Sequence, residues 1–137
     1  MREILFRGKS KDNGKWVEGF YHCVTDNYTP KNIHYITTFK RIDNGEIVLT
    51  GPFEVIPETV GQYTGLKDKN GRKIFEGDIV RYGTDIYEVV FETRCGCGYF
   101  GIKMSHIETW NFCNITPANL MEIIGNIHDD PELLKGE

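Results

Sequence analysis

No apolar run in this chain approaches the ~20 residues that carry a helix across a bilayer. The first short run, Ile4 to Phe6, is too brief for the core of a signal peptide. The expectation is therefore a cytoplasmic protein with no membrane association. Helical periodicity is missing as well, since no long segment repeats apolar residues at three and four positions. Proline and cysteine are scarce, with five and four among 137 residues. A chain of this length can bury about two thirds of its surface and needs no covalent or metal staple. Basic excess is lacking too: 16 Lys and Arg stand against 20 Asp and Glu, for a net charge of −4 and a pI near 5.6. That balance argues against sequence-independent affinity for nucleic acid. There is no P-loop, dinucleotide fingerprint, nucleophile elbow or metallohydrolase motif. His22, His34, His106 and His128 stand apart from one another, in no metal or triad spacing. The expectation is a chain without catalytic residues or cofactor, and not an enzyme.

The average charge hides an asymmetry. Residues 1–41 hold eight Lys/Arg and four acids, a net of +4, and the other 96 hold eight basic and sixteen acidic residues, a net of −8. Three readings stay open. A basic front could meet an acidic back in a neighbouring copy. It could instead face an anionic partner, or the split could be chance scatter. Of the cysteines, Cys95 and Cys97 enclose one glycine, tighter than the usual zinc-knuckle pair. Cys113 and His106 complete four ligands on paper but lack a ligand spacing. No metal is expected, and free, mostly buried thiols are the default for Cys23, Cys95, Cys97 and Cys113.

What is present is β-structure punctuated by turns. Asn13-Gly14, Asn44-Gly45 and Asn70-Gly71 each lie between apolar runs. Asn-Gly tolerates positive φ at both residues and is the strongest short-range hairpin signal. The pairs join Glu3–Arg7 to Lys15–His22, Ile33–Phe39 to Glu46–Leu49, and Gln62–Leu66 to Lys73–Phe75. In the third hairpin a two-residue loop would set Lys69 against Arg72, a like-charge pairing that is destabilising. A three-residue loop instead makes Asp68-Lys69-Asn70-Gly71 a type I turn with Gly71 left-handed, and opposes Leu66 with Ile74.

Further along, Glu76-Gly77-Asp78 reads as a turn into the strand Ile79–Tyr82. Gly83-Thr84-Asp85 is a turn, and Ile86–Thr93 a strand whose Tyr87, Val89 and Phe91 face a core. Tyr99–Met104 resumes as strand after a glycine-rich stretch. Thr116-Pro117 can start one helical turn over Ala118–Leu120. Glu122–Ile127 is a last strand, in which Gly125 marks a bulge or close backbone contact. Asp130-Pro131-Glu132 opens a short helix. Residues 51–60, with Gly51, Pro52 and Pro57, are the best boundary, dividing 1–58 from 59–137. Short strands at close spacing predict an all-β protein built as a small barrel or coiled sheet.

The stretch Gln62-Tyr63-Thr64-Gly65-Leu66-Lys67-Asp68-Lys69-Asn70-Gly71, followed by Phe75-Glu76-Gly77-Asp78-Ile79-Val80, resembles the YopX family of small phage and prophage proteins. The opening Met1–Arg7 with Trp16-Val17-Glu18-Gly19 agrees with it. So does Ile123-Ile124-Gly125-Asn126-Ile127 with Asp130-Pro131-Glu132-Leu133. The resemblance implies an SH3-like β-barrel in the C-terminal half, preceded by a small hairpin-rich N-terminal part. It implies no catalytic residue.

Candidate binding residues remain. Lys67, Lys69, Arg72 and Lys73 crowd the third hairpin and could contact phosphate, though without the helix N-terminus or glycine nest that organises such sites. Tyr82, Tyr99 and Trp110 could stack on bases or grip a peptide. The expected function is a non-enzymatic protein-binding or self-assembling module, with a homo-oligomer or a phage or host protein as partner. The alternative is a nucleic-acid-binding accessory protein acting through the basic N-terminal face or the 67–73 hairpin.

Overall fold

A computed structural model describes residues 4–25, 28, 32–94, 97–103, 110–111 and 118–134. The described residues form strands and one-turn 3-10 helices only. The chain divides into two compact units, Met1–Gln62 and Tyr63–Glu137.

The first unit is an antiparallel sheet of β1 (Phe6–Lys9), β2 (Trp16–Thr25), β3 (Asn32–Arg41) and β4 (Ile47–Glu54), with β5 entering at Gly61. Its order is β4-β3-β2-β1-β5, which leaves β4 on the edge. The first Asn-Gly pair closes a four-residue loop. Ser10 N–H donates to the Lys15 carbonyl at 2.9 Å, so Lys11 to Gly14 form the turn, with Gly14 at φ +69°. The second is a three-residue loop: Ile42 N–H donates to the Glu46 carbonyl and Gly45, at φ +87°, donates back to Ile42, both at 2.9 Å. Gly19 has a different reason to be glycine. A Cβ there would lie 2.1 Å from the Thr37 carbonyl oxygen, so β3 crosses where a side chain would stand. Ile36 and Val55 are fully buried, and a Cβ on Gly8 would stand 3.1 Å from Val55.

The second unit takes up the rest of β5 (Gly61–Lys67), then β6 (Lys73–Phe75), β7 (Asp78–Tyr82), β8 (Asp85–Arg94), β9 (Cys97–Lys103), β10 (Trp110–Asn111) and β11 (Glu122–Asn126). Single 3-10 turns cover Ala118–Leu120 and Pro131–Leu134. The last five strands form one antiparallel sheet in the order β10-β9-β8-β7-β11. Its core gathers Ile74, Val80, Tyr87, Val89, Phe100, Ile102, Ala118, Met121 and Ile123.

Two expectations need correction here, the closed barrel and the inward Phe91. The closed cylinder is not seen among the described residues: the five-strand sheet ends at β10 and β11, which do not pair. Phe91 leaves the core line of Tyr87 and Val89. It is 44% exposed and rests edge-on against buried Phe100, with ring centroids 5.0 Å apart. Leu66, expected opposite Ile74, stays outside the core. Gly65 takes φ +87° inside a register shift between Tyr63 and Lys67, leaving Leu66 exposed while Ile74 is fully buried. Gly125 behaves as read, at a register shift in β11, and a Cβ there would lie 2.6 Å from the Asp130 carboxylate.

Candidate functional site

The third hairpin was the first candidate, and its geometry is that of a clamp. Gly71 takes φ +79° and its N–H donates to the Asp68 carbonyl at 3.0 Å, which is the three-residue loop expected from the sequence. The buried Asp68 carboxylate then does three jobs. Oδ1 accepts from the N–H groups of Asn70 and Arg72, each at 2.9 Å, and Oδ2 accepts from Ile123 N–H at 3.0 Å. In return Lys69 N–H donates to the Met121 carbonyl at 2.9 Å. The hairpin tip is thereby bolted to the start of β11. Burial pushes the Asp68 carboxyl up, but the backbone bonds from Ile123, Arg72 and Asn70 and the Arg72 charge outweigh it, so the net shift is downward.

The side chains of the loop are engaged in the same way. Lys69 Nζ lies 2.9 Å from Glu122, which Arg81 also reaches at 3.1 Å. The hydrogen bond and charge of Lys69 hold the Glu122 carboxyl below its ordinary range. Lys73 Nζ sits 5.7 Å above the Tyr63 ring. Lys67 is exposed at the strand end. Two of the four cations part company: Lys69 turns to β11 and Lys73 to Tyr63.

Asp78 also has a structural duty. It is buried, and its Oδ2 accepts from Phe75 N–H at 2.8 Å across the Glu76-Gly77 turn. Gly77, at φ +93°, donates to Val89 and accepts from Ile127, both at 2.9 Å. Tyr82 is partly exposed at the end of β7, next to the Gly83-Thr84 turn. Tyr99 and Trp110 belong to β9 and β10 by backbone, but their side chains lie outside the described residues. Cys95, Cys113 and His106, and the Cys97 side chain, lie outside them too. Cys23 is free and exposed. Among the described residues no three His, Cys, Asp or Glu side chains gather as a metal site, and no helix is long and apolar enough to cross a membrane.

The surface that sequence reading missed lies in the first unit. Residues opposite one another across a ladder share a face. The register opposes Val24 with Ile33, His22 with Tyr35, Phe20 with Thr37, Phe39 with Leu49 and Arg41 with Ile47. On this face Phe20 and Phe39 stack with centroids 4.8 Å apart while 52% and 41% exposed. Ile47 is 56% exposed and Leu49 62%. His22 and Tyr35 stack at 5.4 Å. The opposite face carries buried Ile36, against Tyr21, whose hydroxyl bonds His34 Nδ1. Burial raises the Tyr21 pKa, with a smaller push from Cys23, so the phenol keeps its proton. The missed signal was present as alternation (Phe20-His22-Val24, Ile33-Tyr35-Thr37-Phe39, Ile47-Leu49), but alternation alone does not say which apolar face stays open.

An all-β, two-unit protein with an exposed apolar sheet face is the class these observations define. The family model described as YopX protein matches residues 5–135. The chain belongs to that family. The crystal structure of protein EF1440 from Enterococcus faecalis is similar, with a TM-score of 0.58 and 23% identity over 98% of this chain and 99% of that one. That likeness speaks to fold alone. No curated protein matches the chain.

Proposed function

We propose that this YopX-family protein is a non-enzymatic binding module whose working surface is the exposed face of β2, β3 and β4. The observation that carries the reading is the stacked, exposed Phe20–Phe39 pair continuous with Leu49 and Ile47. Contiguous exposed apolar surface on a small protein marks an interaction site, because water penalises it until something covers it. The strand order of the second unit's five-strand sheet, with β11 beside β7, supports kinship with SH3-type barrels. The setting is the bacterial cytoplasm during carriage of a phage or prophage, with a phage or host protein as partner.

The nucleic-acid alternative is the weaker reading, since Lys69 is committed to Glu122 and Lys73 turns to Tyr63. One capture experiment from phage-infected cells separates the two. Wild-type chain is expected to retain a protein that survives nuclease treatment and is lost with folded Phe20→Ser/Phe39→Ser. Equal retention by that variant would refute the apolar-face reading. Retention that vanishes with nuclease, with salt and with Lys69→Glu/Arg72→Glu would favour nucleic acid.

A further inference from the structure

β4 is the outer strand of its sheet, and the direction of its peptide groups can be read from the hairpin. Ile42 N–H donates to the Glu46 carbonyl at 2.9 Å, and the following pairs are Arg41–Ile47, Lys40–Val48, Phe39–Leu49 and Thr38–Thr50. In an antiparallel ladder the hydrogen-bonded pairs alternate. Val48 and Thr50 therefore bond inward to β3, and the N–H and C=O groups of Ile47 and Leu49 point outward. The outward groups sit symmetrically about Val48. The run ends at Gly51, where φ is +120° and Pro52 follows without an N–H. Between Ile47 and Thr50 there is no lysine, proline or charge, the devices that normally blunt a sheet edge. All four residues are exposed.

We propose that this edge takes a second copy of the chain, related by a twofold axis through Val48, so that the two β4 strands pair antiparallel. The inference rests on the apolar-face reading above and adds a second copy at the edge of that face, extending the surface across the pair. The register is self-consistent. Ile47 of one copy meets Leu49 of the other as a hydrogen-bonded pair, and Leu49 meets Ile47, giving four new main-chain bonds. Ile47 and Leu49 share the face of Phe39, so the pairing joins two Phe20–Phe39–Leu49 strips into one stripe across the axis. Glu46 falls opposite Thr50, away from its own symmetry mate. Charge permits the meeting through this unit. Residues 1–62 hold eight Lys/Arg and eight Asp/Glu, a net of zero, whereas residues 63–137 hold eight and twelve, a net of −4. Two first units approach without net repulsion, and two second units do not. A closed twofold contact is also the commonest way a single surface satisfies itself.

The test uses the full chain. Sedimentation equilibrium at micromolar concentration is expected to give twice the 15.8 kDa chain mass, and a single-chain mass overturns the proposal. Leu49→Pro removes one outward N–H, a change tolerated on edge strands; it is expected to give a folded monomer, and a persistent dimer overturns the edge pairing. Ile47→Lys keeps every main-chain group and is expected to weaken association at least tenfold; unchanged association counts against the proposal whether or not the proline variant folds. Val48 faces its symmetry mate as a non-hydrogen-bonded pair, at a Cα separation of ~4.5 Å, within disulfide range. Mild oxidation of Val48→Cys should therefore give a bridge joining position 48 to position 48, seen by mass spectrometry. Faster bridging through Leu49→Cys refutes the register. A monomer that still captures its partner through Phe20 and Phe39 sinks the second copy and spares the binding face. A dimer whose capture ignores those rings does the reverse.

Discussion

Replacing Asp68 should do more damage than replacing any basic residue around it. Its carboxylate is the common acceptor for Asn70, Arg72 and Ile123, the last being 55 residues away in sequence. A hydrogen bond to a charged acceptor contributes ~1.5–3 kcal/mol, and a buried donor stripped of its acceptor costs ~1–3 kcal/mol. The Asn70 and Arg72 donors lie at a turn that water can reach, so their loss is partly made good. The Ile123 donor is buried. Asp68→Ala is therefore expected to destabilise the second unit by about 3 kcal/mol, and Asp68→Asn by ~1–2 kcal/mol, since the amide keeps one oxygen but turns a donor toward one of the N–H groups. The ranking can be read from urea midpoints at constant m. The pH dependence is a second handle. The folded pKa lies below the usual 3.8, so the stabilisation is complete above 3.8 and is lost as pH falls through the folded value. The Asp68→Asn deficit should shrink over that range. A deficit within ~0.5 kcal/mol at neutral pH, the size of an ordinary surface change, would refute the clamp; so would a deficit indifferent to acid.

Other outcomes follow from the same geometry. Gly19→Ala places a Cβ 2.1 Å from a main-chain oxygen on β3, which a side-chain rotation cannot relieve; a loss of about 3 kcal/mol is expected, and a thermal melt within ~0.5 kcal/mol of wild type would contradict the close crossing. Met121→Ala empties a fully buried site in the second core and should cost ~2–5 kcal/mol by urea titration. Glu88 is half-buried, and desolvation raises its pKa despite the pull of Lys103, with Glu76 adding to the rise. Its folded pKa exceeds the ordinary 4.5, so wild type loses stability as pH climbs from 4.5 through the folded value. Glu88→Gln should therefore be the more stable protein near neutrality and lose that advantage below pH 4.5, and an advantage that persisted in acid would contradict the assignment.

Local chemistry made much of the fold legible. The third loop could be resolved to three residues because Lys69 facing Arg72 was the wrong pairing and Asp68 the right first turn residue, and Gly71 indeed takes the left-handed bend. Gly125 was recognisable as a close-contact glycine for a similar reason. Long-range geometry was not legible in this way. The third bond of Asp68 depends on where β11 lands, and nothing in residues 67–73 encodes that. Phe91 continued an apolar alternation with Tyr87 and Val89, yet it stands half-exposed at the rim of the core that buries them, against Phe100. Both faces of β2 and β3 carry apolar residues, Tyr21 and Ile36 on one and Phe20, Val24, Ile33 and Phe39 on the other, so the period located the strands but could not say that the Ile36 face is covered and the Phe39 face is open. The same ambiguity hid the candidate site while making the basic hairpin conspicuous.

The placement of the recognisable motifs bears on where function lies. Each stretch that carries the family resemblance has a mechanical task in this structure. Asp68 and Gly71 close and anchor the hairpin. Gly77 and Asp78 turn the chain into β7. Gly19 admits β3. Gly125 makes room for Asp130 and Leu133. Residues of this kind specify a frame, because each answers a backbone requirement that few other side chains can meet. None of them forms the open face. That face is built from Phe20, Val24, Ile33, Phe39, Ile47 and Leu49, on strands lying mostly between the motifs. On the reading proposed above, a binding surface asks only shape and polarity of such positions, whereas the motif positions answer backbone requirements. It follows that exchanging residues 20–49 between two members of the family should transfer partner choice without unfolding either unit, whereas exchanging the 67–73 hairpin should leave partner choice where it was.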